Sequence, residues 1–76
     1  MKFATVEKIL MAAQSNLQHG VIKTRNNDVC FSFVNGDSDE DDIIGYDSGT
    51  EIISVLGKAC NSYIDCEAIE IIEVYK

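Results

Sequence analysis

The sequence predicts an α+β fold: a small single-domain two-layer sandwich over residues 1–76, in the order α-β-β-β-α-β, with a mainly antiparallel sheet and two helices on one face. Three observations predict it. An apolar stripe at helical spacing runs through the first twenty residues, an alternating pattern brackets Asn26-Asn27, and a capping-box pattern precedes an apolar run ending near Ile64.

Val6, Ile9, Leu10, Ala13 and Leu17 recur at the spacing of one helical face, so a first helix is expected over about residues 5–19. Thr5 would cap it and Gly20 would end it. Val21–Arg25 and Val29–Val34 then read as two strands joined by a two-residue turn at Asn26-Asn27, which would set Ile22 opposite Phe31. One face of that hairpin carries Ile22, Val29, Phe31 and Phe33, the other Lys23, Arg25, Asp28 and Ser32, as in a sheet wet on one side.

Asn35-Gly36 signals a further turn, and Asp37-Ser38-Asp39-Glu40-Asp41-Asp42 packs five carboxylates into six residues, too much like charge for an interior element. Ile43–Tyr46 reads as a third strand. Ser48 and Glu51 have capping-box spacing before Ile52, Ile53, Leu56, Ala59, Cys60, Tyr63 and Ile64, which predicts a second helix at about 50–62 that tolerates Gly57. The tail Ala68–Tyr75 fits a helical face through Ala68, Ile71, Ile72 and Tyr75, but its β-branched and aromatic content favours a fourth strand.

Composition narrows the function. Of 76 residues 46% are apolar and 25% charged, ordinary for a folded chain and unlike a disordered one. The net charge of −7 argues against nucleic acid as a direct ligand, because such binding relies on Lys and Arg displacing counterions from phosphates, and it argues equally against anionic membranes. No apolar run reaches the roughly 18 residues of a membrane span, and Met1-Lys2-Phe3 opens no signal-peptide core; the expected location is cytoplasmic, with reduced thiols.

Candidate chemistry is sparse. A zinc site would need Cys30, Cys60, Cys66 and His19 together, and Cys60 and Cys66 lack metal-knuckle spacing. Asp37, Asp39 and Asp41 occupy positions 1, 3 and 5 of an EF-hand-like loop, with Ile44 at position 8; yet Asp42 stands where glycine is needed and Ser48 where a bidentate Glu closes the shell. Weak calcium binding is one alternative reading. Asp47-Ser48-Gly49 resembles the Asp-Ser-Gly turn of aspartic proteases, but helix capping accounts for the same residues. His19, at the end of the expected helix, suits interaction with the helix dipole better than general-base work. Met11, Phe31, Phe33 and Tyr63 are expected in the core. No catalytic residue, metal or cofactor is assigned, and the chain is expected not to be an enzyme.

Charge is segregated along the chain. Residues 1–25 hold four bases against one acid, and the remainder holds two bases against twelve acids, a net of −10. Such a surface suits docking on a basic protein, where long-range attraction raises the association rate. Drawn out at about 3.3 Å per residue, the acidic loop would place one charge per ~4 Å, close to the ~3.4 Å of a single nucleic-acid strand. In size, acidity and lack of catalytic motifs the chain resembles the small inhibitor proteins of phages and mobile elements, such as anti-CRISPR and anti-restriction proteins, and the immunity proteins of toxic nucleases. That resemblance implies a non-enzymatic, nucleic-acid-mimicking module seated on the basic surface of a nucleic-acid-binding protein. The expected contact residues are Asp37, Asp39, Glu40, Asp41 and Asp42, with Tyr46 and Asp47 beside them as an aromatic anchor and a further charge. The other alternative is a structural or accessory subunit forming homo-oligomers, in the simplest case a homodimer, through the apolar tail strand.

Overall fold

The computed structural model describes all 76 residues. In chain order it contains α1 (Phe3–Ser15), β1 (His19–Thr24), β2 (Asp28–Ser32), β3 (Ile43–Asp47), β4 (Ile52–Leu56), β5 (Asn61–Asp65), a 3-10 turn (Cys66–Ala68) and β6 (Ile69–Tyr75). The strands form two antiparallel three-stranded sheets, ordered β2-β1-β6 and β3-β4-β5. The class is therefore α+β, but with one helix in place of the expected two, and two sheets in place of one four-stranded layer.

α1 buries Val6, Leu10 and Ala13, at i, i+4 and i+7 of the apolar stripe. It starts two residues earlier than Thr5, with Lys2 in the cap position and no side-chain cap bond. It also stops earlier than His19. The Gln18 amide donates to Ala13 O at 2.9 Å, and Leu17, not Gly20, takes the left-handed conformation at φ 52°. Leu17 thus leaves the helical face and is 50% exposed.

Gly20 lies inside β1, where two strands crowd it. A methyl group there would sit 2.0 Å from the Glu73 carbonyl oxygen and 2.8 Å from Phe31 Cζ. The β1–β2 register sets Ile22 opposite Val29, so the turn falls on Arg25-Asn26, one residue before the expected position. The Thr24 amide closes it on Asn27 O at 2.8 Å. The corrected pairing moves partners by two residues and keeps Ile22, Val29 and Phe31 on one face and Lys23 and Asp28 on the other, because the strand period is two, while Arg25 passes into the turn.

The second helix does not form. Asp47 Oδ1 accepts from the Gly49 and Thr50 amides at 3.0 and 3.3 Å, and Glu51 adopts φ 57°, so the capping-box residues make a tight turn. Ile52-Ile53-Ser54-Val55-Leu56 follows as β4, with Ile53 and Val55 buried, as suits a run rich in β-branched side chains. Gly57 sits in the β4–β5 hairpin, its amide donating to Cys60 O at 3.0 Å. The tail is β6, as its β-branched content favoured, paired with β1 along most of its length.

One core joins the helix and both sheets. Val6, Leu10 and Ala13 from α1 meet Ile22, Phe31 and Ile69 from the first sheet, Ile53, Val55 and Ile64 from the second, and Phe33 and Cys66 from the connections. Phe31 and Phe33 are core residues, as expected. Met11 and Tyr63 are not, at 52% and 68% exposed. No helix is long and apolar enough to cross a membrane.

Candidate functional site

The acidic segment crosses from the first sheet to the second and braces itself. Glu40 and Asp41 donate their amides to Asp37 O at 3.0 and 2.8 Å, winding the segment into a turn. Asp41 accepts from the Asn35 and Asp37 amides at 3.0 and 3.1 Å, and Asp37 Oδ1 from the Asp39 amide at 2.9 Å. Asp42 fastens the loop to β2, its carboxylate accepting from Ser32 N at 2.9 Å while its own amide donates to Ser32 O at 3.1 Å. Desolvation pushes the Asp41 carboxyl up, but the amides of Asn35, Asp37 and Gly36 outweigh it and hold the group below the ordinary carboxylate value.

This geometry corrects one expectation. The five charges form a compact knob instead of a drawn-out row, so their spacing does not reproduce a nucleic-acid strand. Their exposure does hold: every residue from Val34 to Glu40 is exposed and Asp41 and Asp42 are half-buried. Glu40 is the only loop carboxylate with an ion-pair partner, Lys58 Nζ at 3.3 Å, and both side chains lie largely in water, where such a pair is worth well under about 1 kcal/mol. The Asp39 side chain makes no hydrogen bond. At the EF-hand positions, Asp37 and Asp41 accept from the loop's own amides. Nowhere do three or more His, Cys, Asp or Glu side chains gather in metal-binding geometry. All three cysteines are free, Cys66 buried and the other two exposed. His19 opens β1 and packs against Tyr75, with ring centroids 5.3 Å apart and the planes tilted by 52°.

Two of the expected contact residues lie elsewhere. Asp47 ends β3, about 16 Å of strand away from the loop at ~3.3 Å per residue. The Thr50 hydroxyl and amide, with the Gly49 amide, hold its carboxyl below the usual range. Tyr46 points inward, its ring edge-on to Phe3 at 6.5 Å and 87°. Its hydroxyl is buried and has no hydrogen-bond partner. Burial, and then the nearby Glu7 charge, push its pKa up to about 12.

Tyr46→Phe removes an unsatisfied buried hydroxyl and is expected to stabilise the fold by about 1 kcal/mol. It should also flatten the alkaline limb. A raised tyrosine pKa contributes stability that is whole below about pH 10 and is lost as pH climbs toward 12. Thermal melts of both proteins at neutral pH and near pH 11 measure the two effects.

The outer face of β3-β4-β5 was not legible beforehand, because the second helix was expected there. Its residues fall in three rows across the sheet: Ile43, Leu56 and Asn61; Gly45, Ser54 and Tyr63; Asp47, Ile52 and Asp65. Ile43 is 49% exposed and Tyr63 more so. The β-branched run Ile52-Ile53-Ser54-Val55 with Gly57 after it is the signal that would have found them. Compared with known protein families, curated proteins and solved structures, the chain matches none.

Proposed function

We propose that the chain is a non-enzymatic protein-binding module that docks through exposed carboxylates on a basic protein surface of the kind nucleic-acid-binding proteins carry. In this it would act in the manner of the small inhibitors of phages and mobile elements. The observation that supports this best is the acidic knob, in which backbone amides fix Asp37, Asp41 and Asp42 while Asp39 and Glu40 project. A loop already ordered loses little conformational entropy on binding. Its compactness favours a localised cationic site on the partner over a long groove.

Asp42 and Asp41 hold the loop together, so neutralising them would confuse binding with folding. Asp39→Asn with Glu40→Gln removes two charges and leaves every backbone bond of the loop in place. Captured from an extract of the source cells on the immobilised protein, the partner is expected to be basic and to bind the double variant at least tenfold more weakly. Equal capture by the wild type and the variant would contradict the proposal. Self-association through the free edge of β6 is the second reading, favoured by the 52% exposure of Ile71 beside that edge and opposed by the −7 charge of each copy.

A further inference from the structure

A three-stranded sheet with one wet face ordinarily turns polar side chains to water. The outer face of β3-β4-β5 departs from that: Ile43, Ile52, Leu56 and Tyr63 are four of its nine residues, and Asp47 and Asp65 are its only charges. Gly45 and Ser54, the two smallest side chains, occupy the middle row beside Tyr63. Ile43 and Leu56 lie in the row on one side of them, Ile52 in the row on the other.

The two carboxylates are fixed and unpaired with any cation. Asp47 Oδ1 is held by the Gly49 and Thr50 amides, and Asp65 Oδ1 by the Glu67 amide at 3.0 Å. The molecule's two ion pairs, Lys23–Glu73 and Lys58–Glu40, lie elsewhere. The outer face of the other sheet differs in this respect, since its Glu73 is already neutralised by Lys23 at 3.2 Å.

We infer that this face is where the basic partner inserts arginine side chains; the inference rests on the docking reading above and assigns its second contact surface. An arginine stem is apolar and its guanidinium planar, so the stem can lie over Gly45 and Ser54, between the flanking isoleucines, while the head stacks on Tyr63 and pairs with Asp65. Tyr63 and Asp65 are two residues apart on one strand, about 7 Å. Asp47 stands two strand spacings from Asp65, roughly 10 Å, and takes a second cation of the same segment. A second copy of the chain does not fit, because it would set two negative faces against each other. Nucleic acid and anionic lipid are repelled for the same reason.

Backbone-amide NMR of the labelled full chain, titrated with a capped Arg-Leu-Arg-Leu-Arg-Leu peptide and its Glu-Leu counterpart, tests this. The arginine peptide is expected to shift Gly45, Ser54, Tyr63 and Asp65 saturably, and the glutamate peptide to shift nothing. Tyr63→Ser and Asp65→Asn should each weaken binding about fivefold or more, and Tyr63→Phe should leave it unchanged. Shifts confined to Asp37–Asp42 would overturn the inference while leaving the docking reading standing. Equal binding of both peptides would overturn it too, and the lack of any saturable shift would count against both.

Discussion

Gly20→Ala is expected to destabilise the protein by about 3 kcal/mol or more. Gly20 is in the middle strand of its sheet, and the added methyl would meet the Glu73 carbonyl oxygen at 2.0 Å. A backbone atom cannot step aside as a side chain can, so relief comes only by parting β1 from β6. The second clash, 2.8 Å from Phe31 Cζ, is with a ring that could be shortened. Gly20→Ala combined with Phe31→Leu should therefore regain none of the loss, whereas rescue by Phe31→Leu would show that the ring, not the strand spacing, sets the requirement. Urea unfolding of the single and double variants separates the two.

Leu10→Ala should cost a similar amount, about 3 kcal/mol, through the lost transfer energy and the cavity left behind. Leu10 is fully buried in the only helix, among residues of both sheets. A chain of 76 residues has a total stability of roughly 4–11 kcal/mol, so this one truncation removes a large share of it. Met11 is the contrast: 52% exposed on the next position, it should tolerate alanine with a change below about 0.5 kcal/mol. Equal effects at the two positions would mean that the helix is rotated from the orientation described.

What could be read from the residues followed physical strength. The apolar stripe of α1 and the polar-apolar alternation around the β1–β2 turn were legible, whereas β3 was legible only as a short apolar run and β1 is buried at Gly20, Val21 and Ile22 alike. The second helix was misread because Ile52, Ile53, Leu56 and Cys60 fit helical spacing by coincidence, while an aspartate turn at Asp47 imitates a capping box. Three β-branched residues in five and a glycine after them were the better signal, of a strand and its hairpin. The end of α1 was misplaced because a leucine took the left-handed position that glycine usually fills. In the acidic loop, position and exposure were legible but shape was not: like charge predicts solvation, and only the fold shows that carboxylates can fold a loop by accepting its own amides. Tyr46 was assigned to the surface for its neighbours in sequence, when alternation with Gly45 and Asp47 placed it inside.

The acidic surface unites the knob, the two fixed aspartates and the net charge in one expectation, that attraction between opposite charges carries partner binding. The dissociation constant of the captured partner, measured between about 50 and about 300 mM NaCl for the wild type and for Asp39→Asn/Glu40→Gln, tests it most directly. The account predicts that affinity falls steeply with salt for the wild type and less steeply for the variant. An affinity indifferent to salt, and the same in both proteins, would contradict it.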